Sequence, residues 1–120
     1  MQRYRTTDIP AEVDASPIFI GKVTKQAMVT DANPDLLRAN LVTFHDGARN
    51  KLHEHGSDQI LVATAGRGFV ATGSERIELS PGDVVHIPKG ERHWHGAMPG
   101  ETFAHLSILT PGKMVIHEEE

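Results

Sequence analysis

Residues 51–59 read KLHEHGSDQ, and they hold the side chains best suited to chemistry: His53, His55 and Gln59. In a β-strand, residues i and i+2 face the same side. His53 and His55 therefore project together, while Leu52 and Glu54 project away. The turn-prone Gly56-Ser57-Asp58 follows, and a tight bend there brings Gln59 back beside the two imidazoles. His93 and His95 form a second i, i+2 pair, with Trp94 on the opposite face. His105 shares a strand face with Phe103, Ser107 and Leu109. Three neutral imidazoles from neighbouring strands suit a divalent first-row ion. A Gln59 carbonyl oxygen adds a weak, uncharged fourth ligand. The ion then keeps its full positive charge, a stronger Lewis acid with positions open to water or an oxygen-bearing substrate.

An H-x-H pair alone is weak evidence, because many such pairs lie on surfaces. His93, just after the Pro88-Lys89-Gly90 turn, shifts the balance towards metal. For Gln59 the competing reading is a strand-end amide bonded to a neighbouring carbonyl. His105 and His95 are the candidate acid–base groups, since imidazole titrates near neutrality. A nearby cation favours the neutral, base-ready form. The competing readings are a core His105 satisfied by a hydroxyl and a His95 that orients a ligand. His45 adjoins a turn, His117 lies in the tail, and His86 falls outside the inward face if Val85 and Ile87 point inward. All three are expected outside the site.

The elements that must position these residues read as strands. Segments 18–30, 41–47, 58–66, 68–79, 82–90, 93–98 and 102–110 are short and apolar or β-branched, with Gly, Pro and Asp between them. Thr72-Gly73-Ser74 marks a hairpin turn. Short strands at this spacing predict an all-β sandwich or barrel. The one helix candidate is NPDLLRAN, residues 33–40, with Asn33 as cap and Pro34 in the first turn. The expected organisation is an N-terminal arm (1–15), partly flexible, a single barrel (16–112) and a C-terminal tail (113–120) ending in a solvated acidic run.

Composition bounds the rest. A chain of 120 residues suits one core. The net charge is −4 and the basic residues are scattered, which argues against nucleic acid as partner. No apolar run is long enough for a membrane helix. The first residues, MQRYRTTDIPAEVD, lack the apolar middle of a signal peptide, so the default expectation is cytoplasmic. Eight histidines are more than ordinary usage, and there is no cysteine.

Two segments carry a resemblance. Gly47, His53, His55, Gln59 and Gly66 follow the spacing of the first cupin motif, with Gln59 where glutamate is usual. Gly82, Pro88, Gly90 and His93 follow the second, with Ala97 in place of asparagine. The chain thus resembles a small single-domain cupin, which implies an all-β jelly-roll barrel. More narrowly it is similar to the manganese cupins related to bacterial cupin-type hydroxynitrile lyases, which are often labelled carboxymuconolactone-decarboxylase-associated cupins. They share H-x-H-x3-Q, then H-W-H-G, then a histidine on the last core strand. The resemblance implies metal ligands at His53, His55, Gln59 and His93, and catalytic roles for His105 and His95. It also implies manganese, with iron, zinc and nickel accepted by the same set, and a homodimer or homotetramer. The implied activity is a lyase-like reaction on a small oxygen-bearing substrate, with the metal as Lewis acid and a histidine as base. A metal-dependent dioxygenase and a non-enzymatic small-ligand binder are the alternatives. Lys51, Met28, Asn40 and Leu109 are candidates for the pocket lining.

Overall fold

The computed structural model describes residues 1–30 and 37–117. Among these described residues a short 3-10 turn (Thr6–Asp8) precedes thirteen strands. They are β1 (Glu12–Val13), β2 (Phe19–Ile20), β3 (Val23–Val29), β4 (Arg38–Phe44), β5 (Arg49–Asn50), β6 (His53–His55) and β7 (Gln59–Gly66). Then follow β8 (Gly68–Ala71), β9 (Arg76–Leu79), β10 (Val84–Ile87), β11 (Trp94–Ala97), β12 (Phe103–Leu109) and β13 (Met114–Ile116). One sheet runs β1-β3-β4-β12-β7-β10, and a second runs β2-β5-β11-β8-β9. All the strand pairs are antiparallel, and the two sheets face each other as a jelly roll.

The alternation in the sequence explains the packing. Along β7, Gln59, Leu61 and Ala63 are buried while Ile60 is exposed. Along β12, Phe103, His105 and Ser107 are buried. A bulge in the β7–β12 pairing skips Thr64, so His105 pairs with Ala63, Ser107 with Leu61 and Leu109 with Gln59. Directly opposed residues share a face, so the bulge puts Gln59 and His105 on one inner wall. Phe44 and Phe103 are fully buried in the core with Val23, Leu61 and Val70. Truncating either ring to alanine removes about 3–5 kcal/mol.

Three segments differ from the reading of the sequence. Residues 18–30 form two strands, because Gly21 turns the chain at φ 92° and leaves no room for a Cβ beside Ala48 (2.8 Å). The helix candidate at 33–40 lies partly outside the described residues, and its last three residues belong to β4, where Ala39 and Asn40 pair with both β3 and β12. Residues 114–116, set aside as tail, form β13 and pair with β6 in a separate two-stranded sheet. The N-terminal arm is also tied down: Glu12 and Val13 pair with β3, and the Gln26 amide donates to the Thr6 and Ile9 carbonyls at 2.7 and 2.9 Å. No helix among the described residues is long and apolar enough to cross a membrane.

Candidate metal centre

β6 carries His53 and His55, and His93 immediately precedes β11. His53 and His93 exchange both backbone hydrogen bonds, at 3.0 and 2.9 Å, which locks the two chains side by side. β13 clasps β6 from the other side, with Ile116 opposite His53 and Met114 opposite His55. One nitrogen from each of His53, His55 and His93 lies within 4.8 Å of the others. The His53 and His93 ring centroids are 4.3 Å apart, and His55 sits 4.8 Å from His53.

The hydrogen bonds fix which nitrogens face inward. His53 Nδ1 donates to the Lys51 carbonyl at 2.7 Å, and His93 Nδ1 donates to the Glu91 carbonyl at 2.9 Å. Each ring therefore presents a lone pair at Nε2. The Nε2 atoms of His55 and His93 are buried without a hydrogen-bond partner, as is Gln59 Oε1. The Gln59 amide is oriented by Ser107, whose Oγ accepts from Nε2 at 2.8 Å. A buried polar atom left unpaired costs about 1–3 kcal/mol. A cation that accepts all these lone pairs removes that cost, and the donor set therefore fits one. No carboxylate belongs to this group of ligating nitrogens.

Electrostatics keep the rings neutral. Burial pushes His53 down to about 3, reinforced by His93 and opposed by the Lys51 carbonyl. Burial and His93 push His55 down to about 4. Burial lowers His93 as well, against the pull of Glu91. His95 is held well below the ordinary value by burial first and by His105 and His93 next. Burial takes His105 to about 4, with a smaller opposing pull from the Leu106 backbone. Neutral imidazole is the form that binds metal.

A cavity of about 210 Å³ opens in front of His53, His55, Gln59, His95 and His105. Val42, Phe44 and Phe19 supply apolar wall, and Phe19 meets Phe44 edge-on at 6.0 Å. Asn40 and Leu109 line it as expected from the sequence, whereas Lys51 and Met28 do not. His93 lines a separate recess of about 110 Å³. Asp14 and Lys25, paired at 2.8 Å, sit at the mouth. Burial acts to raise the Asp14 carboxyl, but hydrogen bonds from Lys25 and Ser16 outweigh it and hold it below the usual value.

The remaining histidines lie elsewhere. His45 bonds Thr24 Oγ1 at 3.0 Å, His86 pairs with Asp58 at 2.9 Å, and His117 pairs with Glu54 at 2.7 Å. Two polar residues missed in the sequence complete the interior. Asn50 lies beside His95, and Ser107 holds the Gln59 amide. Ser107 was legible as a neighbour of His105 on one strand face. Asn50 carried no signal, because the break between β5 and β6 disrupts its alternation with His53.

The profile of the Cupin domain family matches residues 40–110. The (R)-mandelonitrile lyase of Granulicella tundricola is 41% identical over 91 residues, covering 75% of this chain and 70% of that one. An acireductone dioxygenase of Exiguobacterium sibiricum is 29% identical over 99 residues, covering 77% of this chain and 52% of that one. A crystal structure of a cupin-like protein from Thermotoga maritima superposes with a TM-score of 0.84 at 36% identity, covering 89% of this chain and 84% of its own.

Proposed function

This chain belongs to the Cupin domain family, and from that premise we propose that it is a metal-dependent lyase-like enzyme acting on a small oxygen-bearing substrate. The observation that carries the proposal is a set of buried acceptors without partners. His55 Nε2 and His93 Nε2 are among them, in one group with His53, and Gln59 Oε1 is another, on a residue that lines the same cavity as His53 and His55. These four side chains hold the ion, with manganese first and iron, zinc or nickel as substitutes. Once bound, the ion supplies Lewis-acid polarisation of a substrate oxygen. An amide ligand adds no negative charge, which preserves that polarising power.

The chain's own residues do the rest. The apolar wall of Val42, Phe44 and Phe19 holds the organic part of the substrate and thins the water around it. His105 and His95 are the proton-handling pair, and the nitrogen that carries the hydrogen decides whether they give a proton or take one. The relative in Granulicella is named for mandelonitrile, so a cyanohydrin is the first substrate class to test. Its C–CN bond breaks, the hydroxyl loses its proton, and an aldehyde and hydrogen cyanide result. A homodimer or homotetramer in the cytoplasm is part of the same proposal, and light scattering reads the assembly.

The similarity to an acireductone dioxygenase favours a second reading, oxygen activation by iron in the same ligand set. One experiment separates the two. Manganese-loaded protein is given mandelonitrile, and benzaldehyde release is followed in air and under anaerobic conditions. The lyase reading expects equal release in both, abolished by a chelator. Absence of release from protein shown to hold metal overturns it, and turnover only in air transfers the assignment to the dioxygenase.

A further inference from the structure

The lyase reading does not say which nitrogen of the His95–His105 pair carries the hydrogen, and the geometry points to an answer through a residue that reading leaves unused. We infer that Asn50 sets the direction of a buried hydrogen-bond chain, Asn50 to His95 to His105, which holds both rings in the Nδ1–H form. His105 then meets the substrate as a hydrogen-bond donor. The substrate assignment rests on the lyase reading; the direction of the chain does not.

Asn50, His95 and His105 are 3%, 4% and 1% exposed, so water does not compete for their bonds. The starting point is a group with no ambiguity. The His95 backbone N–H can only donate, and it donates to Asn50 Oδ1 at 2.8 Å. That bond fixes the amide, so the NH₂ group is what lies 3.2 Å from His95 Nε2. Two donors cannot face each other, and Nε2 must accept. A neutral ring with an accepting Nε2 carries its hydrogen on Nδ1. That atom lies 3.2 Å from His105 Nε2, which must accept in turn. The hydrogen of His105 is left on Nδ1, which is buried and has no hydrogen-bond partner of its own.

Local structure holds Asn50 in place. β5 and β11 pair at a single position, Arg49 with Gly96. A Cβ on Gly96 would stand 2.5 Å from both the Ala48 carbonyl oxygen and Arg49 Cβ, so only glycine permits the approach. Beyond that point the Asn50 side chain takes over the bond to the His95 N–H that a longer ladder would make.

The consequence concerns recognition. His105 lines the cavity with Phe44 at 5.6 Å between ring centroids. The remaining N–H has no side-chain partner and only a small pull from the Leu106 backbone, and a substrate with a second acceptor atom, a carbonyl oxygen or a nitrile nitrogen, would complete it. A base at His105 requires the opposite tautomer. Asn50 opposes that form, because turning its amide breaks the bond to the His95 N–H. Asn50 is thus a positioning residue for His105.

The test is a long-range ¹H–¹⁵N correlation spectrum of histidine-labelled, zinc-loaded protein, which distinguishes pyrrole-type from pyridine-type ring nitrogens. His95 and His105 are expected to show a pyrrole-type Nδ1 and a pyridine-type Nε2. Asn50→Asp keeps an oxygen for the His95 N–H and turns the other group into an acceptor, so both rings should reverse to the Nε2–H form. A parent spectrum with hydrogen at Nε2 of either ring overturns the inference, as does a folded Asn50→Asp variant with unchanged tautomers. If the variant fails to fold, the parent spectrum decides alone. Elemental analysis of the same sample reports on the ligand set separately. Metal-free protein with the expected tautomers leaves this inference standing and removes the lyase reading.

Discussion

The histidines of this chain fall into two regions that obey different physics. His45, His86 and His117 lie towards the surface, and each has an oxygen partner: Thr24, Asp58 and Glu54. His53, His55, His93, His95 and His105 lie inside the jelly roll, ring against ring, and among the described residues no carboxylate is hydrogen-bonded to any of them. In the interior, burial pushes every ring towards the neutral form, and repulsion from neighbouring rings adds to it at His53, His55 and His95. Neutral rings with unpartnered lone pairs are a poor way to stabilise a core. They are a good way to hold a cation.

The sharpest test of this contrast is removal of two interior rings, one at a time. His93→Ala takes away one of the three clustered nitrogens. It should weaken metal binding by about a hundredfold or more, measured by elemental analysis after dialysis. His105→Ala should keep the metal and lose roughly 10²–10⁴ in turnover, the usual range for a proton-handling group. If it loses the metal instead, the division between ligands and proton carriers is wrong.

Acid should act on the interior rings before anything else. The folded value of His105 is about 4, while the unfolded chain has the ordinary value of 6.5. Between these limits the unfolded chain takes up a proton that the folded chain refuses. Stability of the metal-free protein is therefore complete above about pH 6.5 and falls as the pH drops towards 4, by up to about 1.4 kcal/mol per pH unit for each such ring. Urea unfolding at stepped pH measures the slope, and a flat profile across this window contradicts the burial account. A smaller effect is expected from Ser107→Ala, which frees the Gln59 amide to rotate. It should weaken metal binding by about tenfold. His86→Asn, at an exposed ion pair, should change neither metal content nor midpoint, and serves as the surface control.

Much of the interior was legible because alternation is a strong rule. The i, i+2 spacing of His53 and His55 and the shared face of His105, Ser107 and Leu109 follow from strand geometry alone. The turn at Thr72 was equally plain, and Thr72 N–H does bond the Glu75 carbonyl at 2.8 Å. What escaped depends on pairings between distant segments. β13 is three residues long and exists because Met114, Val115 and Ile116 find β6. Asn50 lies in the spacer between Gly47 and His53, and its role appears only when β5 meets β11 at Gly96. Phe19 lies on the two-residue strand β2, and only the folded sheets bring it to the cavity. Local periodicity reports which face a residue takes, and only the folded sheet order reports what stands opposite.

The central claim is that His53, His55, His93 and Gln59 share a single divalent ion. Anomalous scattering from a crystal of manganese-loaded protein tests it most directly. The account predicts one strong peak per chain, within bonding distance of the Nε2 atoms of the three histidines and of Gln59 Oε1. A well-ordered crystal with no peak there, or with its metal held by other residues, contradicts it.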